Sequence, residues 1–292
     1  MVISPEKTTI GFIGIGVMGQ SMAGHLIDAG YNVHVYTRTK SKSDIICSKG
    51  GIWENSVKSL SRKTDVIITI VGLPDDVREV YLGENGIFQN AKPGTITIDM
   101  TTSCPELAKE LYEKGKESSI EVIDAPVSGG DIGAQNATLS IMVGADKKPF
   151  EIVLPLFEIM GSNIVLQGSA GSGQHTKAAN QIAIAAGMIG VCESLAYAKK
   201  AGLDPATVLE SIGKGAAGSW SLNNLGPKMI ANDFDPGFFV KHFIKDMKIA
   251  AESSESMKLE TPGLKLAKSL YEKLAEKGCE NDGTQALFKL FS

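Results

Sequence analysis

The sequence predicts an α/β chain with a doubly wound, mostly parallel sheet in residues 1–170 and an all-α domain in residues 171–292. Three observations carry this. Short β-branched runs alternate with helical stretches from Thr8 to about Asp124, a glycine-rich turn follows the first strand, and beyond Gly173 the pattern is helical throughout.

The strand runs are Thr9 to Ile13, Asn32 to Tyr36, Asp65 to Val71, Thr95 to Asp99 and Glu121 to Asp124. Their alternation with helical stretches implies parallel strands joined by crossover helices. Val66-Ile67-Ile68-Thr69-Ile70-Val71 is apolar almost throughout, as a strand covered on both faces should be. Thr138 to Val143 predicts another strand, Pro149 to Met160 a helix, and Asn163 to Leu166 a final edge strand. Gly168-Ser169-Ala170-Gly171-Ser172-Gly173 then reads as a flexible link at the domain boundary.

From Gly173 no proline interrupts the helical pattern until Lys199-Lys200-Ala201-Gly202, a cationic last turn with a glycine stop. This helix, about residues 173–201, would span about 45 Å at ~1.5 Å per residue. Pro205 to Ile212, Ser219 to Ile230, His242 to Met257 and Pro262 to Lys277 read as further helices.

The 292 residues, 43% hydrophobic and 21% charged, suffice for two ordinary folded domains. Lys plus Arg number 29 against 33 Asp plus Glu, so the net charge of −4 gives no whole-chain attraction to nucleic acid or anionic lipid. Neither partner is expected. Cys47, Cys104, Cys192 and Cys279 form no C-x-x-C pair, which argues against a zinc site or a disulfide framework and for a reducing compartment. The four histidines show no H-x-x-x-H spacing, and no metal is expected. The longest apolar run, Ile182 to Cys192, is about half the roughly 20 residues a spanning helix needs, and reads as a buried helix. With a strand starting at Thr8 or Thr9, no targeting segment is expected and the cytoplasm is the expected compartment.

Gly14-Ile15-Gly16-Val17-Met18-Gly19 follows an apolar strand and opens the helix Val17 to Ala29. That context makes G-x-G-x-x-G informative: the first glycine permits a tight turn, the second admits a pyrophosphate, and the third lets helix and strand pack closely. The phosphates would lie at the positive end of the helix. An acid about 20 residues on would hold the ribose of NAD, whereas an arginine suits a 2′-phosphate. Here the chain reads Thr37-Arg38-Thr39-Lys40-Ser41-Lys42, with no acid before Asp44.

The expected cofactor is therefore NADP, contacted by Gly14, Gly16, Val17, Met18, Gly19, Thr37, Arg38, Thr39 and Lys42. The plainer reading of Arg38, Lys40 and Lys42 is a solvated patch at the start of the next helix. Leu73, Pro74 and Thr102 fall on strand-end loops expected to pass the nicotinamide, although such residues are also common punctuation and caps.

Three further segments carry chemistry. Asp124-Ala125-Pro126-Val127-Ser128-Gly129-Gly130 is a strand end running into a proline and a glycine pair, where open sheets bind ligands. Its backbone amides and the Ser128 hydroxyl can grip a carboxylate. Lys177 lies in the first two turns of the long helix, with Asn180 and Gln181 on the same face three and four residues on. Phe238-Phe239-Val240-Lys241-His242 precedes Lys245-Asp246.

Together with the glycine turn, the segments Asp124 to Gly130, Gly171-Ser172-Gly173-Gln174-His175-Thr176-Lys177-Ala178-Ala179-Asn180 and Lys245-Asp246 resemble the β-hydroxyacid dehydrogenase family over nearly the whole chain. That family includes 3-hydroxyisobutyrate dehydrogenase, tartronate semialdehyde reductase and glyoxylate/succinic semialdehyde reductase.

The resemblance implies a Rossmann-type N-terminal domain and hydride transfer between NADP and a small 3-hydroxy acid or its semialdehyde. It implies Lys177 as general acid/base, a role open to a lysine whose pKa is lowered by burial or a neighbouring cation. It assigns Ser128, Gly129 and Gly130 to the substrate, and an orienting amide to Asn180 or Gln181, with Asn180 favoured. It further gives Lys245 to the cofactor, and Phe238 and Asp246 to the substrate pocket, where the residues read alone would be surface charges and an aromatic.

Gly215 to Leu222 is expected to shape that pocket. The small residues Ala178, Ala179, Ala183, Ala185, Ala186, Gly187 and Gly190 allow close helix packing and, with the resemblance, imply a homodimer or homotetramer. Two rival readings are a non-catalytic NADP-binding scaffold, opposed by the lysine in its intact segment, and a 6-phosphogluconate-type decarboxylating dehydrogenase, opposed by the short helical part.

Overall fold

The computed structural model describes residues 2–291. The strands are β1 (Thr9–Ile13), β2 (Asn32–Tyr36), β3 (Ile52–Trp53), β4 (Val66–Thr69), β5 (Ile96–Asp99), β6 (Glu121–Asp124), β7 (Val127–Ser128), β8 (Leu139–Gly144) and β9 (Gly161–Gly168). Among the described residues they form one sheet in the order β3-β2-β1-β4-β5-β6-β8-β7, with β9 on β8. The first six positions are parallel, and β8 runs antiparallel to β6 and β7. The reversal of strand order between β1 and β4 is the switch point beside which open α/β sheets bind ligands.

The helices of this part are α1 (Val17–Asp28), α2 (Asp44–Ser48), α3 (Val57–Ser61), α4 (Pro74–Leu82), α5 (Ile87–Asn90), α6 (Pro105–Glu117), α7 (Gly130–Gln135) and α8 (Lys147–Met160). They cover both faces of the sheet, and β4 shows why its sequence is apolar without alternation. Val66 and Ile68 join the core under α1 and α8 with Phe12, Met22, Leu26 and Phe157. Ile67, between them, joins the opposite core with Leu60, Tyr81, Leu107 and Leu111. Successive side chains of a strand point to opposite faces, so both must be apolar.

The remaining helices are α9 (Ser172–Lys200), α10 (Pro205–Ile212), α11 (Trp220–Ile230), α12 (Val240–Ser256) and α13 (Pro262–Leu274). The chain divides into two compact units, Met1–Lys177 and Ala178–Ser292. In the second, Met188, Cys192 and Leu195 of α9 pack with Leu222, Phe243, Met247 and Tyr271. By length and composition α9 is apolar enough to cross a membrane, yet these positions are core. Helical backbone continues beyond α13 through Lys277, as the periodicity suggests, and Gly278 takes φ +82° in a wider closing turn.

The segment Gly168 to Gly173 is not the flexible link its composition suggests. Gly171 takes φ +87° and its amide is bonded to Asp124 Oδ1 at 2.7 Å. Gly173 is packed so tightly that a Cβ there would lie 2.4 Å from the Met142 carbonyl oxygen. The first two turns of α9 are bonded into the sheet-bearing unit, which is why the compact units divide inside this helix.

Candidate active site

The three glycines of the first turn play distinct parts. Gly14 takes φ +105°, and a Cβ there would lie 2.0 Å from the Ile70 carbonyl oxygen at the end of β4. A Cβ on Gly19 would lie 2.0 Å from the Gly14 carbonyl oxygen, so this glycine sets how closely α1 packs on its own turn. A Cβ on Gly16 would meet nothing within 4 Å. Gly16 is the N-cap of α1 and no side chain caps the helix; the first amides of a helix so placed are the groups that bind a phosphate. The residues present thus suit a dinucleotide.

At the end of β2, Thr37 is half-buried, and Arg38, Thr39 and Lys42 are exposed. Arg38 is not an unattached surface cation: its Nη1 donates to Asp76 Oδ1 at 2.9 Å. The other oxygen of Asp76 accepts the amide of Leu73, the N-cap of α4, at 3.0 Å, and Pro74 opens that helix. Asp76 therefore ties the loop after β4 to the loop after β2. The sequence reading missed it, although an acid at the third position after a Leu-Pro helix start is a recognisable capping signal.

On the neighbouring strands, Asp99 and Asp124 stand side by side in register at the carboxyl ends of β5 and β6, both buried. Asp99 Oδ1 accepts from Thr69 Oγ1 at 2.8 Å and from the Thr101 amide at 3.1 Å. Asp124 accepts the Gly171 amide at 2.7 Å and the Gln174 amide at 2.9 Å. Burial, opposed by the Gly171 and Gln174 amides and reinforced by the charge of Asp99, leaves the Asp124 carboxyl raised to about 6. Gln174, also missed in the sequence, accepts the Ser103 amide at 2.9 Å and donates to the Thr101 carbonyl at 2.7 Å, bracketing the half-buried Thr102.

Ser128 lies on β7, paired with Ser140 of β8. Gly129 and Gly130 follow with φ of +132° and +64°, conformations that β-carbon-bearing residues rarely adopt. Lys177, on α9 three residues past Gln174, is buried at 6% exposure.

In the helical unit, Asn180 Nδ2 donates to Gln181 Oε1 at 2.8 Å, and Gln181 Nε2 donates to Asp246 Oδ2 at 2.6 Å. Lys245 Nζ lies 3.0 Å from Asp246 Oδ1. Asp246 and Gln181 are each 2% exposed, so Lys245 and Asp246 are parts of a buried network and not solvated surface charges. Phe238 is half-buried, its ring 6.5 Å from that of His242 and 5.9 Å from that of Phe243. Burial, followed by the charges of Lys245 and Lys241, lowers the pKa of His242. Gly215 to Trp220 is exposed, and Ser219 caps α11 through the Leu222 amide.

Residues 9–168 match the family model described as the NAD binding domain of 6-phosphogluconate dehydrogenase. Residues 171–291 match the model described as the NAD-binding region of NADP-dependent 3-hydroxyisobutyrate dehydrogenase. A probable mitochondrial 3-hydroxyisobutyrate dehydrogenase-like protein of Arabidopsis thaliana is 47% identical, over 98% of this chain and 86% of its own. The chain belongs to the β-hydroxyacid dehydrogenase family. Within it, an uncharacterized oxidoreductase of Bacillus subtilis is 63% identical, over 98% of this chain and 99% of its own. The solved 3-hydroxyisobutyrate dehydrogenase of Mycobacterium tuberculosis, with L-serine, aligns at a TM-score of 0.89 and 28% identity, over 97% of this chain and 98% of that one. The protein is thus an NAD(P)-dependent dehydrogenase of the 3-hydroxyisobutyrate dehydrogenase type. Its helical part matches the model of that type.

Proposed function

We propose that this dehydrogenase uses NADP to interconvert a small 3-hydroxy acid and its semialdehyde, with Lys177 as general acid/base. The observation that carries the proposal is the burial of Lys177 just past the amides that Asp124 holds. A buried lysine at a bonded helix start has a fixed position, as proton transfer requires. In oxidation, neutral Lys177 accepts the proton of the substrate hydroxyl; in reduction, its ammonium returns a proton to that oxygen. When bound, the nicotinamide takes or supplies the hydride.

The Ser128 hydroxyl and the amides of Gly129 and Gly130 hold the substrate carboxylate in this reading. Asn180 is the orienting amide, since Gln181 is committed to Asp246. The preference for NADP rests on Arg38: one edge of its guanidinium is held by Asp76 and other donors remain for a 2′-phosphate. The proposal includes a homodimer or homotetramer, because α9 exposes Ala179, Ala183, Ala186, Gly187 and Gly190 along one side. Light scattering at micromolar concentration should give a mass above 30.9 kDa; a monomer contradicts it.

The reaction is tested by following NADPH oxidation with methylmalonate semialdehyde, tartronate semialdehyde, glyoxylate and succinic semialdehyde, and NADP reduction with the matching hydroxy acids. Turnover on at least one pair, faster with NADP than with NAD, is expected. No turnover on any of them contradicts the substrate class.

A further inference from the structure

The carboxylate of Asp124 spans the start of α9. The first amides of a helix have no partner within it, and an ordinary N-cap satisfies one of them from a neighbouring serine, threonine or aspartate. Here both oxygens of a carboxylate from another element are used, on Gly171 and on Gln174. The chain makes room for it twice. A Cβ on Gly144 of the adjacent strand would lie 2.4 Å from Asp124 Oδ1, and one on Gly173 would lie 2.8 Å from Oδ2. Burying a carboxylate is costly unless its oxygens are hydrogen-bonded, and two charge-assisted bonds to a helix start meet that condition.

Gln174 extends the connection. Its amide belongs to the pair that Asp124 holds, while its side chain bonds the backbone on both sides of Thr102. Lys177 follows three residues later, on the same face of the helix. One connection from the end of β6 therefore fixes the start of the helix bearing Lys177 and the loop bearing Thr102.

We infer that Asp124 and Gln174 are positioning residues of this dehydrogenase: Asp124 sets the placement of Lys177 for proton transfer, and Gln174 sets the Thr102 loop for the cofactor. The inference rests on the acid/base role proposed for Lys177. A misplacement of about 1 Å can cost a hundredfold in rate, so the expected effects are large although neither side chain touches the reacting atoms.

The test uses the full-length enzyme carrying Asp124→Asn or Gln174→Met, each checked by thermal melting. Asp124→Asn keeps size but offers one acceptor oxygen where two are needed. It should lower kcat about ten- to a hundredfold at saturating substrates, with NADPH affinity within about threefold of the parent. Gln174→Met keeps its backbone amide on Asp124 and loses the loop bonds; it should raise the KM for NADPH about tenfold and change kcat less.

A folded Asp124→Asn with parental kcat overturns the inference, as does one whose kcat and NADPH affinity fall together by the same factor. Should Asp124→Asn not fold, Gln174→Met decides, and a parental KM for NADPH overturns it. An active Lys177→Ala enzyme would remove the acid/base reading. An inactive Lys177→Ala beside a fully active Asp124→Asn overturns this inference alone.

Discussion

Gly16→Ala and Gly19→Ala should separate cofactor binding from folding within one turn of chain. At Gly16 the backbone is extended (φ −92°, ψ −165°), which alanine adopts, and the new methyl meets no protein atom within 4 Å. Removing a glycine stabilises by about 0.4–1 kcal/mol through the unfolded chain, and alanine is a poorer N-cap than glycine by a similar amount. The net change should stay within about 1 kcal/mol, or about 2–4 °C in Tm. At Gly19 the methyl would lie 2.0 Å from the backbone oxygen of Gly14, costing about 3 kcal/mol and about 6–12 °C.

NADPH reverses the contrast. If Gly16 admits the pyrophosphate, as the motif predicts, its methyl should lower NADPH affinity about tenfold, or about 1.4 kcal/mol. At an NADPH concentration of about 100 times the parental Kd, ligand stabilisation should fall from about 2.7 to about 1.4 kcal/mol, halving the thermal shift. Scanning fluorimetry with and without NADPH reads both quantities. A parental thermal shift in Gly16→Ala, or an unliganded Tm as low as that of Gly19→Ala, would refute the reasoning.

Two further perturbations address the surroundings of the turn. Arg38→Ala should lower the NADPH/NADH ratio of kcat/KM about ten- to a hundredfold, the worth of hydrogen bonds to a charged group; an unchanged ratio removes Arg38 from cofactor selection. Glu54, 4% exposed, accepts from Lys63 at 2.7 and 2.9 Å, from His34 at 2.8 Å and from Ser59. Burial raises its pKa, but these donors outweigh it and hold the carboxyl at about 2, against an ordinary 4.5. A depressed carboxyl stabilises the fold fully above about pH 4.5 and loses that contribution as pH falls toward 2, here about 3 kcal/mol. Urea unfolding of the parent and Glu54→Gln should therefore differ most near neutral pH and converge in acid, and a pH-independent difference is the contrary result.

The parallel sheet was legible because its strands are apolar on both faces, as Val66, Ile67 and Ile68 illustrate. Strands β3 and β7, two residues each, carry no periodicity and exist through pairing with β2 and β8. The glycine turn was legible because its spacing falls between a strand and a helix that adjoin it in the chain, although the backbone that Gly14 approaches, Ile70, is distant in sequence. Asp76, Gln174 and the role of Asp124 were not, since their partners lie 38, 71–73 and 47–50 residues away. The Gly/Ser composition of Gly168 to Gly173 pointed the wrong way for the same reason: a distant carboxylate holds a segment that would be mobile by itself. Asn180 and Gln181 were equivalent by helix spacing; in the structure Gln181 is buried and donates to Asp246, while Asn180 is half-buried and donates to Gln181.

Lys177→Ala is the most direct measurement of the account. With NADPH and the best aldehyde substrate, kcat should fall about a hundred- to ten-thousandfold, the usual worth of a positioned general acid, while NADPH affinity stays within about threefold of the parent. Turnover within a few-fold of the parent, with NADPH binding intact, would contradict the assignment of proton transfer to this lysine.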